Sequence, residues 1–318
     1  MDERSFLSLA LEARKSWGVA DVHQLAQLHV PDRILGDRRS SILRSDIGIL
    51  WSSWFLESLL DPNRYATAGK TYPMLFSDAF RLITERFPHL TKEEAKVFAS
   101  EISRELWRRV ENLRQGSDRI KLDKNSRYDL LSLAGDQPRC WICGYLFSEL
   151  AIKNFANGKI SELKAFEFVD VFKPIGLNAI DLTIQVDHVE AWSLGGRNLD
   201  NLKLSCAWCN RNKSNHTSIY DVAGSALVAN SNSYEIHSLP QRFWTIRLIS
   251  TVRRCEHPSG CDCTTENTEL TIEPINPLGM ATPTNLRVVC GTHHYLKEKR
   301  LMTRDLVSNI WGKNKQIT

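Results

Sequence analysis

The chain has 318 residues, 42% of them hydrophobic and 25% charged, enough material for a sizeable buried core and a composition that excludes a disordered or fibrous protein. Lys and Arg number 41 against 37 Asp and Glu, a net charge of +4, so any nucleic-acid surface must come from local placement of cations rather than from an overall basic field. Asp2 and Glu3 stand where a secretory signal needs positive charge, and the most apolar run, Ile47 to Leu60, is broken by Ser52, Ser53 and Glu57 and is too short to span a bilayer. A soluble, cytoplasmic protein with no membrane contact is therefore expected.

Residues 1 to about 130 read as helical. Phe6, Leu7, Leu9 and Leu11 open one candidate helix, and Ile42 to Leu60 carries an apolar stripe through Leu50, Trp51, Trp54, Phe55 and Leu59. Thr91-x-x-Glu94 is a capping-box start for a long helix running toward Arg114, while Asp61-Pro62 and Phe87-Pro88 punctuate the segments. Arg104, Trp107, Arg108, Arg109 and Arg114 on the late helix offer a phosphate-facing surface. Their interleaving with Glu101, Glu105 and Glu111 favours a solvated face. No catalytic motif falls in this region, which leaves it targeting, autoinhibition, docking of a protein partner or self-association.

From about Gln115 to Leu133 the pattern weakens into a charged connection, taken as a domain boundary. Arg139-Cys140-Trp141-Ile142-Cys143-Gly144 then forms a compact knuckle, mated by a second Cys-x-x-Cys at Cys206 and Cys209. A lone pair of this kind could be redox-active; two such pairs in a reducing compartment give the four thiolates of a tetrahedral zinc site. The interval holds an apparent helical insertion, Phe147 to Phe155 and Ile160 to Phe168, which costs little closure entropy. A site closed by four thiolates has no place for water or substrate, so its zinc is structural and any reactive groups lie beside it.

Beside it stand Asp187-His188 at the end of a short apolar strand (Leu182, Ile184, Val186), Gly195-Gly196, Asn201-Leu202, and Cys206-Ala-Trp-Cys209-Asn210-Arg-Asn-Lys213. An Asp-His pair at a strand end is by itself ordinary polar surface; order, spacing and flanking thiolates together are more specific. Over about residues 139 to 215 this pattern resembles the HNH endonucleases, the ββα-metal nucleases, with their optional zinc knuckles. The resemblance implies that His188 is the general base taking a proton from a water aimed at phosphorus. It implies that Asp187 and Asn210 hold one divalent cation, Mg²⁺ or Mn²⁺, and that Asn201 ties the hairpin loop and orients His188. Arg211 and Lys213 are then contacts to the DNA backbone, near the positive end of the final helix, with Glu190 and Arg197 as possible helpers.

Farther on, Asn215 to Ser233 reads as a loop or weak helix, and Pro240 onward as an amphipathic element. The tail echoes the first module: Cys255 and Cys261 stand for the first knuckle, Leu270 to Pro274 for the strand, Thr284-Asn285-Leu286 for the turn, and Cys290 with His293 for the second knuckle. Where Asp187-His188 stood, this copy has Glu273-Pro274, so it reads as a non-catalytic zinc finger. Its expected ligands are Cys255, Cys261, Cys290 and His293, with Cys263 and His294 as alternates; free cysteines in a small β-rich region are the competing reading. Lys297, Lys299, Arg300 and Arg304 are expected on a terminal helix, as a further DNA-backbone contact or as a solvated face.

The expected architecture is thus α+β: a helical N-terminal domain over 1–130, a zinc-stapled, treble-clef-like HNH nuclease domain over 131–220, and a degenerate zinc-binding module over 221–318. The expected function is that of a metal-dependent endonuclease or nickase cutting double-stranded DNA, with two structural zinc ions. By family analogy, bacterial restriction or anti-phage defence is its setting. The alternative is a zinc-dependent DNA-binding module that does not cut.

Overall fold

A computed structural model describes residues 2–13, 19–115, 122–189, 202–222, 224–229 and 236–313. Helices and small sheets are mixed along the chain. The first part is helical: α1 Glu3–Ala13, α2 Val19–Ala26, α3 Asp32–Leu35, α4 Ser40–Leu59, α5 Tyr72–Arg86, α6 Lys92–Gln115 and α7 Lys124–Leu133. The capping box read at the start of α6 is present, with Thr91 N donating to Glu94 Oε2 at 2.9 Å and Glu94 N donating to Thr91 Oγ1 at 3.3 Å.

Leu75, Ala79 and Ile83 form a four-residue-spaced stripe on α5 that is wholly buried with Ala95, Ala99, Ile102, Leu106 and Val110 of α6. Alanine at three of those positions lets the two helices approach closely. Phe55 near the end of α4 joins this core through a ring cluster with Phe87 and Phe98, its centroids 6.0 and 6.3 Å from theirs.

The start of α4 belongs elsewhere. Ile42 and Leu43 are buried in a second core that also holds both cysteine-bearing regions. Asp46, fully buried, accepts from Ile219 N at 2.7 Å and from Arg247 Nε and Nη2 at 3.1 and 2.5 Å. Arg39, just before α4, is also buried; it bonds Leu286 O at 2.9 Å and pairs with Glu256. One helix therefore serves two cores.

The remainder runs α8 Glu149–Asn157, β1 Phe168–Asp170, β2 Ile184–His188, β3 Leu202–Cys206, α9 Ala207–Lys213, β4 Leu227–Val228, β5 Ser238–Leu239, α10 Arg242–Val252, β6 Leu270–Pro274, β7 Leu286–Cys290, β8 Leu301–Thr303 and α11 Arg304–Lys313. The strands form two-stranded antiparallel sheets: β1 with β8, β2 with β3, β4 with β5 and β6 with β7. No helix among the described residues is long and apolar enough to cross a membrane.

Three local expectations are corrected. The second helix of the insertion is not formed: residues 158–167 run without regular structure, Phe166 N donating to Gly176 O at 3.0 Å, and Phe168 enters β1, where the β8 ladder satisfies its backbone. Within the supposed charged connection, α7 forms because the Asp123 side chain accepts from Ser126 N at 2.7 Å and caps it. Lys297, Lys299 and Arg300 sit in a 3₁₀ turn rather than on the terminal helix, which starts only at Arg304 after β8 intervenes.

Candidate active site and metal centres

Cys206 carries three duties at once. It is the last residue of β3 and the N-cap of α9, its Sγ accepting from Cys209 N at 3.4 Å. It also belongs to a cluster with Cys140, Cys143 and Cys209, all fully buried, whose sulfurs lie within 4.8 Å of one another. A tetrahedral zinc with Zn–S near ~2.3 Å needs sulfur separations of roughly 3.8 Å, so the cluster fits the ion by number, chemistry and spacing.

The thiols cannot ionise together unaided. Burial raises Cys140, Cys206 and Cys209, yet hydrogen bonds from the neighbouring sulfurs hold Cys140 well below the usual thiol range, while burial with the neighbouring sulfur charge leaves Cys206 and Cys209 well above it. A divalent cation removes that conflict. Around the knuckle, Trp141 N donates to Leu204 O at 3.0 Å and Cys140 N to Tyr145 O at 2.9 Å. Gly144, with φ +76°, is required there, because a Cβ would lie 2.0 Å from Thr268 O.

β2 and β3 pair over five residues, Ile184 with Cys206 through His188 with Leu202, and α9 packs on the hairpin. Gln185 and Asp187, alternate residues of β2, both meet α9: Gln185 Oε1 accepts from Asn210 Nδ2 at 2.7 Å, and both Asp187 oxygens accept from Lys213 Nζ at 2.9 Å. Asp187 Oδ2 also accepts from Trp141 Nε1 at 3.0 Å. Burial pushes the Asp187 carboxyl above its ordinary range, opposed by Lys213 and by these hydrogen bonds. The knuckle, the strand and the helix thus meet on one carboxylate.

His188 is half-buried at the last position of β2, and its carbonyl accepts from Lys213 Nζ. Arg211 pairs with the buried Asp181, whose own carboxylate also accepts from Asn178 N at 3.0 Å. Both basic residues expected to face nucleic acid are therefore engaged within the chain, and Lys213 ends α9, remote from the helix's positive end. Asn201, with Glu190, Gly195, Gly196 and Arg197, lies outside the described residues. The roles of Trp141, Gln185 and Asp181 escaped the sequence reading; a tryptophan between two paired cysteines was the one available signal.

The tail repeats this geometry. β6 and β7 also pair over five residues, Leu270 with Cys290 through Pro274 with Leu286, so Cys290 takes the place of Cys206, Glu273 that of Asp187 and Pro274 that of His188. Cys255, Cys261, Cys290 and His293 bring their ligand atoms within 4.8 Å of one another, a second set compatible with zinc. Cys263 adjoins it, pushed up to about 12 by burial and by Cys261 and Cys290. His294 does not: fully buried, it bonds Ile272 O at 3.2 Å and lies 3.9 Å from Glu273.

In register, Glu273 and His294 occupy the positions of Asp187 and Asn210, and here they converge. Glu273 is sealed, accepting from Arg287 Nε and Tyr295 N, each at 2.6 Å. Asn285, in the place of Asn201, straps its loop: Oδ1 accepts from Asn276 N at 2.8 Å, and Nδ2 donates to Asn276 O and Met280 O at 3.0 Å each.

Comparison with protein families matches residues 177–216 to the HNH endonuclease family. The chain carries an HNH endonuclease domain. The matched HNH segment contains β2, β3 and α9 and begins after the first knuckle, which reaches it through the sulfur cluster and Trp141. HNH domains are nucleases acting on nucleic acids. Searches of curated proteins and of solved structures returned no match.

Proposed function

We propose that this chain is a metal-dependent HNH endonuclease or nickase that hydrolyses phosphodiester bonds of double-stranded DNA. The observation that carries the reading is the Asp187–His188 pair at the end of a five-residue hairpin strand, fixed to α9 by Lys213 and to the cysteine cluster by Trp141. His188 is the general base, taking the proton of the attacking water at an imidazole nitrogen. Asp187 and Asn210 offer oxygen donors suited to Mg²⁺ or Mn²⁺; the sealed Glu273–His294 contact supports the idea that these two positions converge. Such a cation, when bound, neutralises charge on the phosphate and the leaving oxygen.

The strapping role that Asn285 fills in the second hairpin is the one this reading gives to Asn201, whose place in the register matches it. Cys140, Cys143, Cys206 and Cys209 hold one structural zinc, and Cys255, Cys261, Cys290 and His293 a second, in a treble-clef-like module that has exchanged its base for Pro274. The division near residues 130 and 220 accompanies this reading as a division of labour, with the helical part open to a partner or a second copy.

Incubation of plasmid with the full chain and Mg²⁺ or Mn²⁺ tests it. Nicking by the wild type, reduced about 10²–10⁴-fold in His188→Ala at unchanged thermal stability, is expected of a lost general base. Equal nicking by both removes His188 from the mechanism; retardation of DNA without cleavage by either supports the binding-module alternative.

A further inference from the structure

Three oxygens converge on the end of Lys213: Asp187 Oδ1 and Oδ2, each at 2.9 Å, and the carbonyl of His188. An ammonium has three N–H donors and no acceptor, so this ring satisfies it completely. The ring is also the kind of hard-oxygen seat a divalent cation takes. Lys213 therefore occupies, with a single charge on a flexible stem, the carboxylate assigned to the reaction's cation, while Asn210 is held by Gln185.

The choice of lysine is informative. Among the described residues the buried carboxylates are Asp46, Asp181, Asp187 and Glu273. Arginine partners three of them, Arg247, Arg211 and Arg287; only Asp187 takes a lysine. A guanidinium fork locks a carboxylate in place, whereas an ammonium is a point charge on four rotatable carbons and leaves by bond rotation alone. Its departure is also eased from the other side: the Nζ lies 5.6 Å from the Trp141 ring centroid, whose face continues to attract it while the indole N–H keeps hold of Asp187.

Resting on the reading of Asp187 as cation ligand, we propose that Lys213 is an exchangeable counterion: it closes the Asp187 seat to divalent cations until a nucleic-acid phosphate draws the ammonium away, so that cation and substrate bind cooperatively. Each ligand then removes the obstacle to the other, and the coupling is reciprocal.

The test is Mn²⁺ titration of the zinc-loaded full chain, followed by electron paramagnetic resonance at pH 8, with and without a duplex made uncleavable by phosphorothioate linkages. In the wild type the duplex is expected to tighten Mn²⁺ binding at least tenfold. Lys213→Gln, which keeps an N–H donor and drops the charge, is expected to bind Mn²⁺ at least tenfold more tightly than wild type without duplex, and to gain little from adding it. Unchanged or weaker Mn²⁺ binding by Lys213→Gln overturns the proposal, as does equal duplex-driven tightening in both proteins. If the variant does not fold, the wild-type arm decides alone: no tightening by duplex overturns it. Asp187→Asn separates the two layers. Loss of Mn²⁺ binding places the cation on Asp187, whereas full retention overturns that assignment and the proposal with it.

Discussion

Tyr65 lies buried in the helical core with its hydroxyl donating to Asp78 Oδ2 at 2.6 Å. Burial, and then the bond and charge of Asp78, push its hydroxyl up to about 12. The folded chain thus holds this proton more tightly than the unfolded chain, whose tyrosine titrates near ~10. The corresponding stability is fully present below about pH 10 and is lost as pH rises through about 12. Thermal melts of wild type should fall over that window, and those of Tyr65→Phe should fall less; at neutral pH the variant should lose about 1 kcal/mol from the missing hydrogen bond. Parallel pH profiles for the two proteins would count against this account.

The HNH hairpin depends on a contact that spans the chain. Cys206→Ala removes a helix cap and a cluster sulfur together, so metal content should fall from about two zinc per chain to about one, with loss of the β2–β3–α9 unit and of any cleavage. Elemental analysis with circular dichroism checks it, and a folded, fully loaded variant would refute the pinning role. At this scale the sequence was most legible where chemistry is local: paired cysteines two residues apart, Thr91 three before Glu94, and the apolar strand ending at Asp187. What it hid was set by distant partners. Phe168 pairs with Thr303, Trp141 with Asp187 and Arg39 with Glu256, and no periodicity encodes which remote group satisfies a given side chain. α7 was missed because its apolar pattern is weak and its cap, Asp123, sits among other charges. The finding that Lys213 closes on Asp187 likewise needed the hairpin folded against α9.

Across the whole molecule α4 is the common member, with Asp46 and Arg39 at one end and Phe55 at the other. Asp46→Ala leaves the buried amide of Ile219 without its acceptor and the partly buried Arg247 without its carboxylate, a loss of roughly 1–3 kcal/mol. Urea unfolding should show it as a lower midpoint in which the HNH region and the helical core both participate; destabilisation of the helical core alone would contradict the shared strut. The cysteine cluster has a consequence in time as well as in space. Cys140 and Cys143 leave the ribosome about 60 residues before Cys206, a delay of roughly 3–12 s at ordinary elongation rates. For those seconds the nascent chain displays half of the four-cysteine cluster, two neighbouring thiols open to oxidation or to adventitious metal before the strand and helix that complete the cluster have been synthesised.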